Sequence, residues 1–255
     1  MAKEYKIRER NLFDPKSKKP FKLSRTKIEL FMECPRCFYM DRRLGVGRPS
    51  TPGFTLNIAV DHLLKKEFDL LRENGEAHEL MKKYNVDAVP YKHPDMDKWR
   101  ENFEGIEHLH KKTDLILSGA IDDIWVNKKG ELHIVDYKAT STEKEISLED
   151  EFKQGYKTQM EIYQWLFRKE GFKVNKTGYF VFANASKNRP RFDGKLEFEL
   201  TILPHEGDDS WIEQTVVDIH KCLVNDSIPE SSPTCEHSAY RQAFALTTRK
   251  HKNNH

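Results

Sequence analysis

The sequence lacks any apolar run that approaches the ~20 residues needed for a membrane-spanning helix. Its opening, MAKEYKIRERNLFDPK, has no apolar core of the kind that a secretory signal carries. A P-loop of the form GxxxxGK(S/T) is also missing, so the chain cannot be its own P-loop motor. These absences predict a protein of the cytoplasm that does not bind membranes.

Cysteine is scarce, with four residues in the chain: Cys34, Cys37, Cys222 and Cys235. Without an export signal, structural disulfides are not expected. Two interpretations remain for these thiols, which are metal binding and simple burial.

Hydrophobic residues make up 37% of the 255 residues and charged residues 33%, as in a globular protein with a charged surface. This length suits one sizeable α/β domain or two small ones. The net charge is +2, but residues 1–50 hold 14 Lys/Arg against 6 Asp/Glu. Such a basic segment is compatible with a polyanionic partner such as nucleic acid, and equally with a solvated surface.

Apolar periodicity predicts the secondary structure. We expect helices over 25–33, capped by Ser24, and over 56–72, 148–168 and 211–223. We expect strands over 114–126 and 131–138, joined by the turn 127–130, and over 177–184 and 196–203. This order predicts an α/β protein with a mixed sheet flanked by helices.

The charge distribution divides the chain further. Residues 1–20 form a polar, basic N-terminal segment, residues 21–245 the folded domain, and residues 246–255 a basic tail. Residues 74–113 are rich in charge and have no long apolar run. They are predicted to form an insertion of loops and short helices that acts as a lid over a cleft.

The most informative stretches are GAIDDIW, which contains Asp122, and IVDYK, which contains Asp136 and Lys138. Residues two apart on a strand share a face, so Asp136 and Lys138 project together. Asp122 lies on the partner strand of the hairpin and can approach Asp136. Two carboxylates suit Mg²⁺, and a lysine beside them can neutralise phosphate charge or orient water. The alternative is a surface hairpin with ordinary charges.

GAIDDIW…IVDYKAT resembles the motif pair G-x-I-D…I-x-D-Y-K-T of RecB-like PD-(D/E)XK nucleases, which include CRISPR-associated members. Three further segments resemble motifs of that family in the same order. They are SRTKIELFMECPRCFYMDRRL, with its Cys34-Pro35, then AVDH at 59–62 and QMEIY at 159–163. Together the matches cover roughly residues 24–241.

The resemblance implies a single restriction-endonuclease-like domain and a metal-dependent nuclease acting on DNA. Asp122 and Asp136 would hold Mg²⁺ or Mn²⁺, Lys138 would be the catalytic lysine, and His62 would be a further metal ligand. Gln159 and Tyr163 would position the substrate or the active-site strand. Because the chain has no motor of its own, a helicase or another DNA-processing protein is an expected partner.

The residues themselves allow a partial check of these roles. His62 falls well away from the apolar face of its predicted helix, so it points to solvent or to a cleft. Gln159 shares a helix face with Tyr163 and must find hydrogen-bond partners on that apolar stripe. A bond to the backbone and a contact to DNA are both open. Basic residues of the first 50 positions are expected to guide the nucleic acid, namely Arg25, Arg36, Arg42, Arg43 and Arg48.

The cysteines depart from the family pattern. Some relatives hold a [4Fe–4S] cluster with one early and three late cysteines, but Ser238 stands where a second late cysteine is expected. No iron–sulfur cluster is therefore expected. A Zn²⁺ site from Cys34, Cys37, Cys235 and His237 is one alternative, supported by the C-x-x-C spacing. Burial of free thiols is the other, and Cys222 is assigned to packing.

Two functions other than a nuclease remain open at this point. One is a nuclease fold that binds DNA or a protein without cutting. The other is a structural protein held together by zinc, in which the Asp122, Asp136 and Lys138 pattern is incidental.

Overall fold

The computed structural model describes residues 5–50, 52–150 and 153–253. Within them the chain forms β1 (Phe21–Ser24), α1 (Arg25–Glu33), α2 (Pro35–Arg42), α3 (Thr55–Asn74), α4 (Glu79–Lys83), β2 (Ala88–Pro90), α5 (Met96–Arg100), β3 (Ile106–His110), β4 (Leu115–Gly119), β5 (Asp123–Asn127), β6 (Leu132–Thr140), α6 (Gln154–Lys169), β7 (Thr177–Ala185), β8 (Phe198–Glu206), α7 (Ile212–Val224) and α8 (Glu236–Asn253).

The described residues divide into two units. The first unit comprises residues 5–50, 109–116 and 213–253. The second comprises residues 52–108 and 117–212, without 151–152. No helix of the described chain is long and apolar enough to cross a membrane.

A five-stranded mixed sheet with the order β2-β5-β6-β7-β8 forms the centre of the second unit. Strands β5 and β6 pair antiparallel, with Asp123 opposite Val135. Strands β6 and β7 pair parallel, which requires a crossover, and α6 supplies it. Strand β8 returns antiparallel to β7. A second sheet has three strands in the order β1-β4-β3.

Strand β6 is buried over its first six residues, as a central strand covered on both faces should be. Val135 and Tyr137 belong to an apolar cluster with Leu64 and Phe68 of α3. The alternate residues of β6 face the other side, where Asp136 and Lys138 meet α6. The sheet therefore separates an apolar layer from the layer that carries the charged pair.

The predicted α/β class, with a mixed sheet flanked by helices, is confirmed. Helix 25–33 is found as predicted, but Ser24 makes no capping bond and its hydroxyl lies 2.9 Å from that of Thr26. The turn 127–130 is also found, because the side chain of Asn127 accepts from the amides of Lys129 and Glu131.

The predicted strand 114–126 is wrong in one respect, because it is two strands. Strand β4 ends at Gly119 and β5 begins at Asp123 in the other sheet. The predicted helix 148–168 begins only at Gln154, and residues 151–152 lie outside the described part.

The prediction of a lid over residues 74–113 is wrong. Strand β2 is part of the central sheet and pairs with β5. Leu80, Met81, Val86 and Ala88 lie in the core cluster. Four spaced apolar residues were sufficient to build this segment into the core, although charge dominates its composition.

The predicted tail also needs correction. Helix α8 runs from Glu236 to Asn253 and crosses the expected boundary at residue 246. Lys and Arg support helix formation well, so a basic segment can continue a helix.

Candidate active site

Asp136 and Lys138 form an ion pair on β6, between their side-chain Oδ2 and Nζ atoms. Asp136 is fully buried, and the side chain of Lys138 is 17% exposed. The Lys138 ammonium also lies 4.5 Å from the ring centroid of Tyr156, over its face. The lysine is therefore held in place while its head group keeps access to solvent.

Gln159 connects the two members of this pair. Its amide nitrogen donates to Asp136 Oδ1 at 2.7 Å, and its amide oxygen lies 3.3 Å from Lys138 Nζ. The same nitrogen lies 3.3 Å from the Tyr163 hydroxyl, one helical turn away. The structure gives the Gln159 amide side-chain partners on β6 and not the backbone partner that the sequence left open. Gln159 instead fixes the side chains of β6.

Tyr163 is buried against Gly119, the glycine of the GAID motif. A Cβ atom at Gly119 would lie 2.5 Å from Tyr163 Cε1 and 2.9 Å from its Cδ1. Real Cβ atoms do not approach ring carbons this closely, so the position requires glycine. The GAID motif and the QMEIY motif are therefore in direct contact, because the Tyr163 ring packs on the backbone of Gly119.

Asp122 occupies the short connection between β4 and β5. Its Oδ2 accepts from the backbone N–H of Tyr137 at 2.9 Å, which is the amide between Asp136 and Lys138. The antiparallel register pairs Asp123 with Val135, so Asp122 and Asp136 are the next residues along the two chains. The sequence placed Asp122 within a strand, whereas the break at 120–122 lets its carboxylate turn onto β6.

A third carboxylate, Asp61 of α3, lies beside Asp122 and was missed in the sequence. Lys65 Nζ lies 2.9 Å from Asp61 Oδ2 and 3.0 Å from Asp122 Oδ1. Burial raises the pKa of Asp61, and the charge of Asp122 raises it further. The second oxygen of Asp61, Oδ1, is buried without a hydrogen-bond donor. Two facing carboxylates with an unsatisfied buried oxygen favour a bound cation.

Lys65 supplies part of the positive charge that these carboxylates require. Burial acts to lower the pKa of Lys65, but Asp122 and Asp61 outweigh it, so the pKa is raised. The ammonium therefore stays charged. It contacts Asp61 Oδ2 and Asp122 Oδ1, which are oxygens that a metal ion could also bind.

Asp123 is fully buried and was not singled out in the sequence either. It pairs with Arg72, and its Oδ1 lies 3.2 Å from Arg100 Nη2. Its Oδ2 accepts from the Tyr137 hydroxyl at 2.7 Å. Arg100 also donates to the carbonyl of Asp122 at 2.9 Å. This network fixes the backbone from which the Asp122 side chain projects.

The metal set implied by the family resemblance, His62 with Asp122 and Asp136, is not brought together. His62 is exposed on α3, one residue beyond Asp61. Successive helix residues point about 100° apart, so only one of the two can face Asp122. In the described chain, the one group of three metal-ligating side chains within 4.8 Å consists of cysteines, so neither His62 nor Asp61 forms such a group with Asp122 and Asp136.

The five arginines expected to guide nucleic acid all have partners within the first unit. Arg25 binds Glu29, Arg36 contacts Glu230, Arg43 contacts Asp226 and Arg48 binds Glu33. Arg42 is buried and pairs with Asp41. Arg42 is thereby kept from solvent. Arg25, Arg36, Arg43 and Arg48 are half-buried, and their contact with nucleic acid stays a prediction.

Three of the four cysteines lie together, as the zinc alternative required. Cys34, Cys37 and Cys235 place their sulfur atoms within 4.8 Å of one another. His237, expected as the fourth ligand, is exposed and outside this group. Ser238 contacts the thiols instead. Cys222 is half-buried and apart from them, and burial raises its pKa to about 11.

Comparison with known proteins gives one informative match. The family model of the PD-(D/E)XK nuclease superfamily matches residues 57–243. No curated protein matches the chain. Among solved structures, the crystal structure of SSO0001 is similar at a TM-score of 0.33 and 16% identity, over 81% of this chain and 78% of that chain. This last likeness is too weak to carry any conclusion.

Proposed function

The chain belongs to the PD-(D/E)XK nuclease superfamily, and from that premise we propose that it is a metal-dependent nuclease that hydrolyses phosphodiester bonds in DNA. One observation carries the proposal. The Asp122 carboxylate binds the backbone amide between Asp136 and Lys138, which assembles two carboxylates and a lysine at one point of the sheet. A binding protein that does not cut has no chemical need for this set.

Mg²⁺ or Mn²⁺ would be held by Asp122 and Asp136, with Asp61 or His62 of α3 as a further ligand. The fit rests on the oxygen donors and on the buried Oδ1 of Asp61, which lacks a donor. Both ions prefer carboxylate oxygen. When bound, such an ion activates water for hydrolysis and neutralises phosphate charge.

Lys138 would stabilise the negative charge that develops on the phosphate. Its ammonium is preorganised by Asp136, Gln159 and the Tyr156 ring. Charge stabilisation by a fixed group is effective because the group need not reorganise during the reaction. Gln159 acts through Asp136 and Lys138 and is therefore a positioning residue.

The RecB-like motifs support a finer placement in that branch of the superfamily. The proposal places the protein in the cytoplasm, with DNA as its partner. Since the sequence has no P-loop, a helicase or another DNA-processing protein would unwind the DNA.

The test is cleavage of labelled single-stranded and double-stranded DNA, and of RNA, with Mg²⁺, Mn²⁺ or EDTA. Lys138→Ala and Asp136→Asn are compared with Lys129→Ala and Asp87→Asn, which change the same residue types at exposed positions. We expect EDTA and the first two substitutions to lower the rate at least about 10²-fold, and the control pair to leave it unchanged.

Each other outcome has a defined meaning. Cutting that survives both Lys138→Ala and Asp136→Asn would place the active site elsewhere. Tight binding of DNA without cutting by the wild type would support a binding module. Cleavage of RNA alone would overturn the DNA substrate and leave the chemistry intact.

A further inference from the structure

Two short motifs meet in the first unit, each at the start of a helix. Cys34 lies between α1 and α2, and Cys37 lies in the first turn of α2. Cys235 immediately precedes α8, and Ser238 lies in its first turn. C-x-x-C therefore faces C-x-x-S, with almost 200 residues between them. The proposed active site uses none of these groups.

The distances within this group fit a single metal ion. Cys37 Sγ lies 3.7 Å from Cys235 Sγ, and Ser238 Oγ lies 3.8 Å from the sulfurs of both Cys34 and Cys37. Zn–S bonds measure about 2.3 Å, so the corners of a tetrahedral zinc site lie ~3.8 Å apart. These three distances match edges of such a tetrahedron, and all three sulfur atoms lie within 4.8 Å of one another.

The same distances do not fit an iron–sulfur cluster. In a [4Fe–4S] cluster each thiolate binds a different iron, so the four sulfurs must stand well apart around the whole cluster. Here the three sulfurs lie within 4.8 Å of one another, and the fourth position is an alcohol. The group is too small for the cluster that some relatives hold.

Burial and charge are also suited to a structural site. Cys34, Cys235 and Ser238 are buried. Three thiolates and Zn²⁺ leave a net charge of −1 beside the Arg48 guanidinium, whose Nη2 lies 3.4 Å from Cys235 Sγ and whose Nη1 pairs with Glu33. A cavity of about 590 Å³, lined in part by Cys37, Arg48 and Ser238, gives an ion access from solvent.

We propose that the chain binds one Zn²⁺ through Cys34, Cys37, Cys235 and the Ser238 hydroxyl, as a structural site that joins α2 to α8. The ion would replace the thiol protons, which are released on binding. Because ligands so distant in sequence come together only in the folded chain, binding of the ion would stabilise the first unit.

The experiment measures metal in the full chain, purified without a metal-binding tag and without added metal. Elemental analysis should give about one zinc per chain, and Cys37→Ser should lose most of it. Cys222→Ser is the matched control, because this thiol lies outside the group, and it should keep its zinc. Cobalt titration of the wild type provides a measurement that does not depend on variants. It should give the intense visible bands of tetrahedral cobalt with thiolate-to-metal charge transfer.

Ser238→Cys tests the fourth ligand. A fourth thiolate should shift the cobalt bands and tighten zinc binding, whereas Ser238→Ala should weaken it. Metal removal should lower the melting temperature of the wild type but not of Cys37→Ser.

The proposal fails if the purified chain contains no zinc, binds no cobalt and titrates as free thiols. It also fails if iron and sulfide are found instead, or if Cys37 and Cys235 form a disulfide. None of these readouts uses cleavage of DNA, so the zinc site and the nuclease are tested separately.

Discussion

At the scale of single residues, one amide, that of Gln159, connects the two charged groups of the proposed active site. It donates to Asp136 and accepts from Lys138. Replacing Gln159 with Leu removes both bonds and leaves Asp136 buried with fewer donors. If Gln159 acts by positioning β6, as its two hydrogen bonds indicate, we expect kcat to fall about 10²-fold while KM for DNA changes little.

Gln154→Leu makes the same change at an exposed position of the same helix and should leave both constants as in the wild type. A rise in KM with kcat preserved in Gln159→Leu would show that this amide contacts DNA.

Asp61 offers a second test at this scale, because Lys65 joins its carboxylate to that of Asp122, whereas His62 is exposed. Asp61→Asn keeps the size of the side chain but removes the charge that faces Asp122. The Mg²⁺ concentration for half-maximal cleavage should rise at least about tenfold. His62→Ala should change it less, and the reverse order would restore the set that the family resemblance implies.

Gly119 is the third residue with a testable role. In Gly119→Ala the new methyl group would meet the Tyr163 ring at 2.5 Å, so the ring must move and carry Gln159 with it. Overpacking of this kind costs about 1–3 kcal/mol of the free energy of unfolding, measured by urea denaturation. Gly155→Ala is the comparison, because nothing lies within 4 Å of a Cβ at that position.

At the scale of elements, Met81 of α4 tests whether residues 74–113 are core or lid. It is fully buried in the cluster beneath the sheet. Met81→Ala should lower the free energy of unfolding by about 2–5 kcal/mol. Met32→Ala makes the same change on the half-exposed face of α1 and should cost about 0.5 kcal/mol or less. Similar denaturation midpoints for the two variants would contradict the core assignment.

The elements that the sequence predicted are those with a clear apolar period, such as α3, α6, β7 and α7. Strand β2 was missed because three residues cannot show a period, and its place depends on pairing with β5. The break between β4 and β5 was missed for a related reason. Apolar alternation runs through Gly119–Asp122, and only the hydrogen bond from Tyr137 to Asp122 shows that the chain turns there.

The site residues likewise divide into those that a local pattern predicts and those that it misses. Asp122, Asp136 and Lys138 could be selected from local pattern, and the structure places them at one point of the sheet. Asp61 and Asp123 could not, because their partners Lys65, Arg72 and Arg100 come from distant segments or carry no motif. The choice between Asp61 and His62 depends on the rotation of α3, which a helical wheel gives only relative to its own apolar face.

At the scale of the whole molecule, stability should depend on pH through the buried His133. Burial lowers its pKa, against the hydrogen bond it makes to the carbonyl of Thr177. The unfolded chain takes up this proton near pH ~6.5, whereas the folded chain takes it up at lower pH. The contribution is therefore present above pH ~6.5 and is lost as the pH falls below it.

Urea denaturation across this pH range measures the effect. The free energy of unfolding of the wild type should fall on acidification, and His133→Gln should reduce that slope. An unchanged slope in the variant would assign the acid sensitivity to other groups.

Asp122 and Asp123 are identical neighbours, so the register of β5 against β6 needs a contact that distinguishes them. The buried arginines provide one. Both residues are aspartates, so sliding β5 along β6 by one position would exchange them with little change in local preference. A slip of one residue reverses every side chain of a strand between its two faces. Arg72, Arg100 and the Tyr137 hydroxyl donate to the aspartate on the buried face, which is Asp123. A slip that moved Ile124 into the place of Asp123 would leave Arg72 and Arg100 with Asp69 as their remaining counter-charge and would remove the acceptor of the Tyr137 hydroxyl. This loss disfavours that alignment.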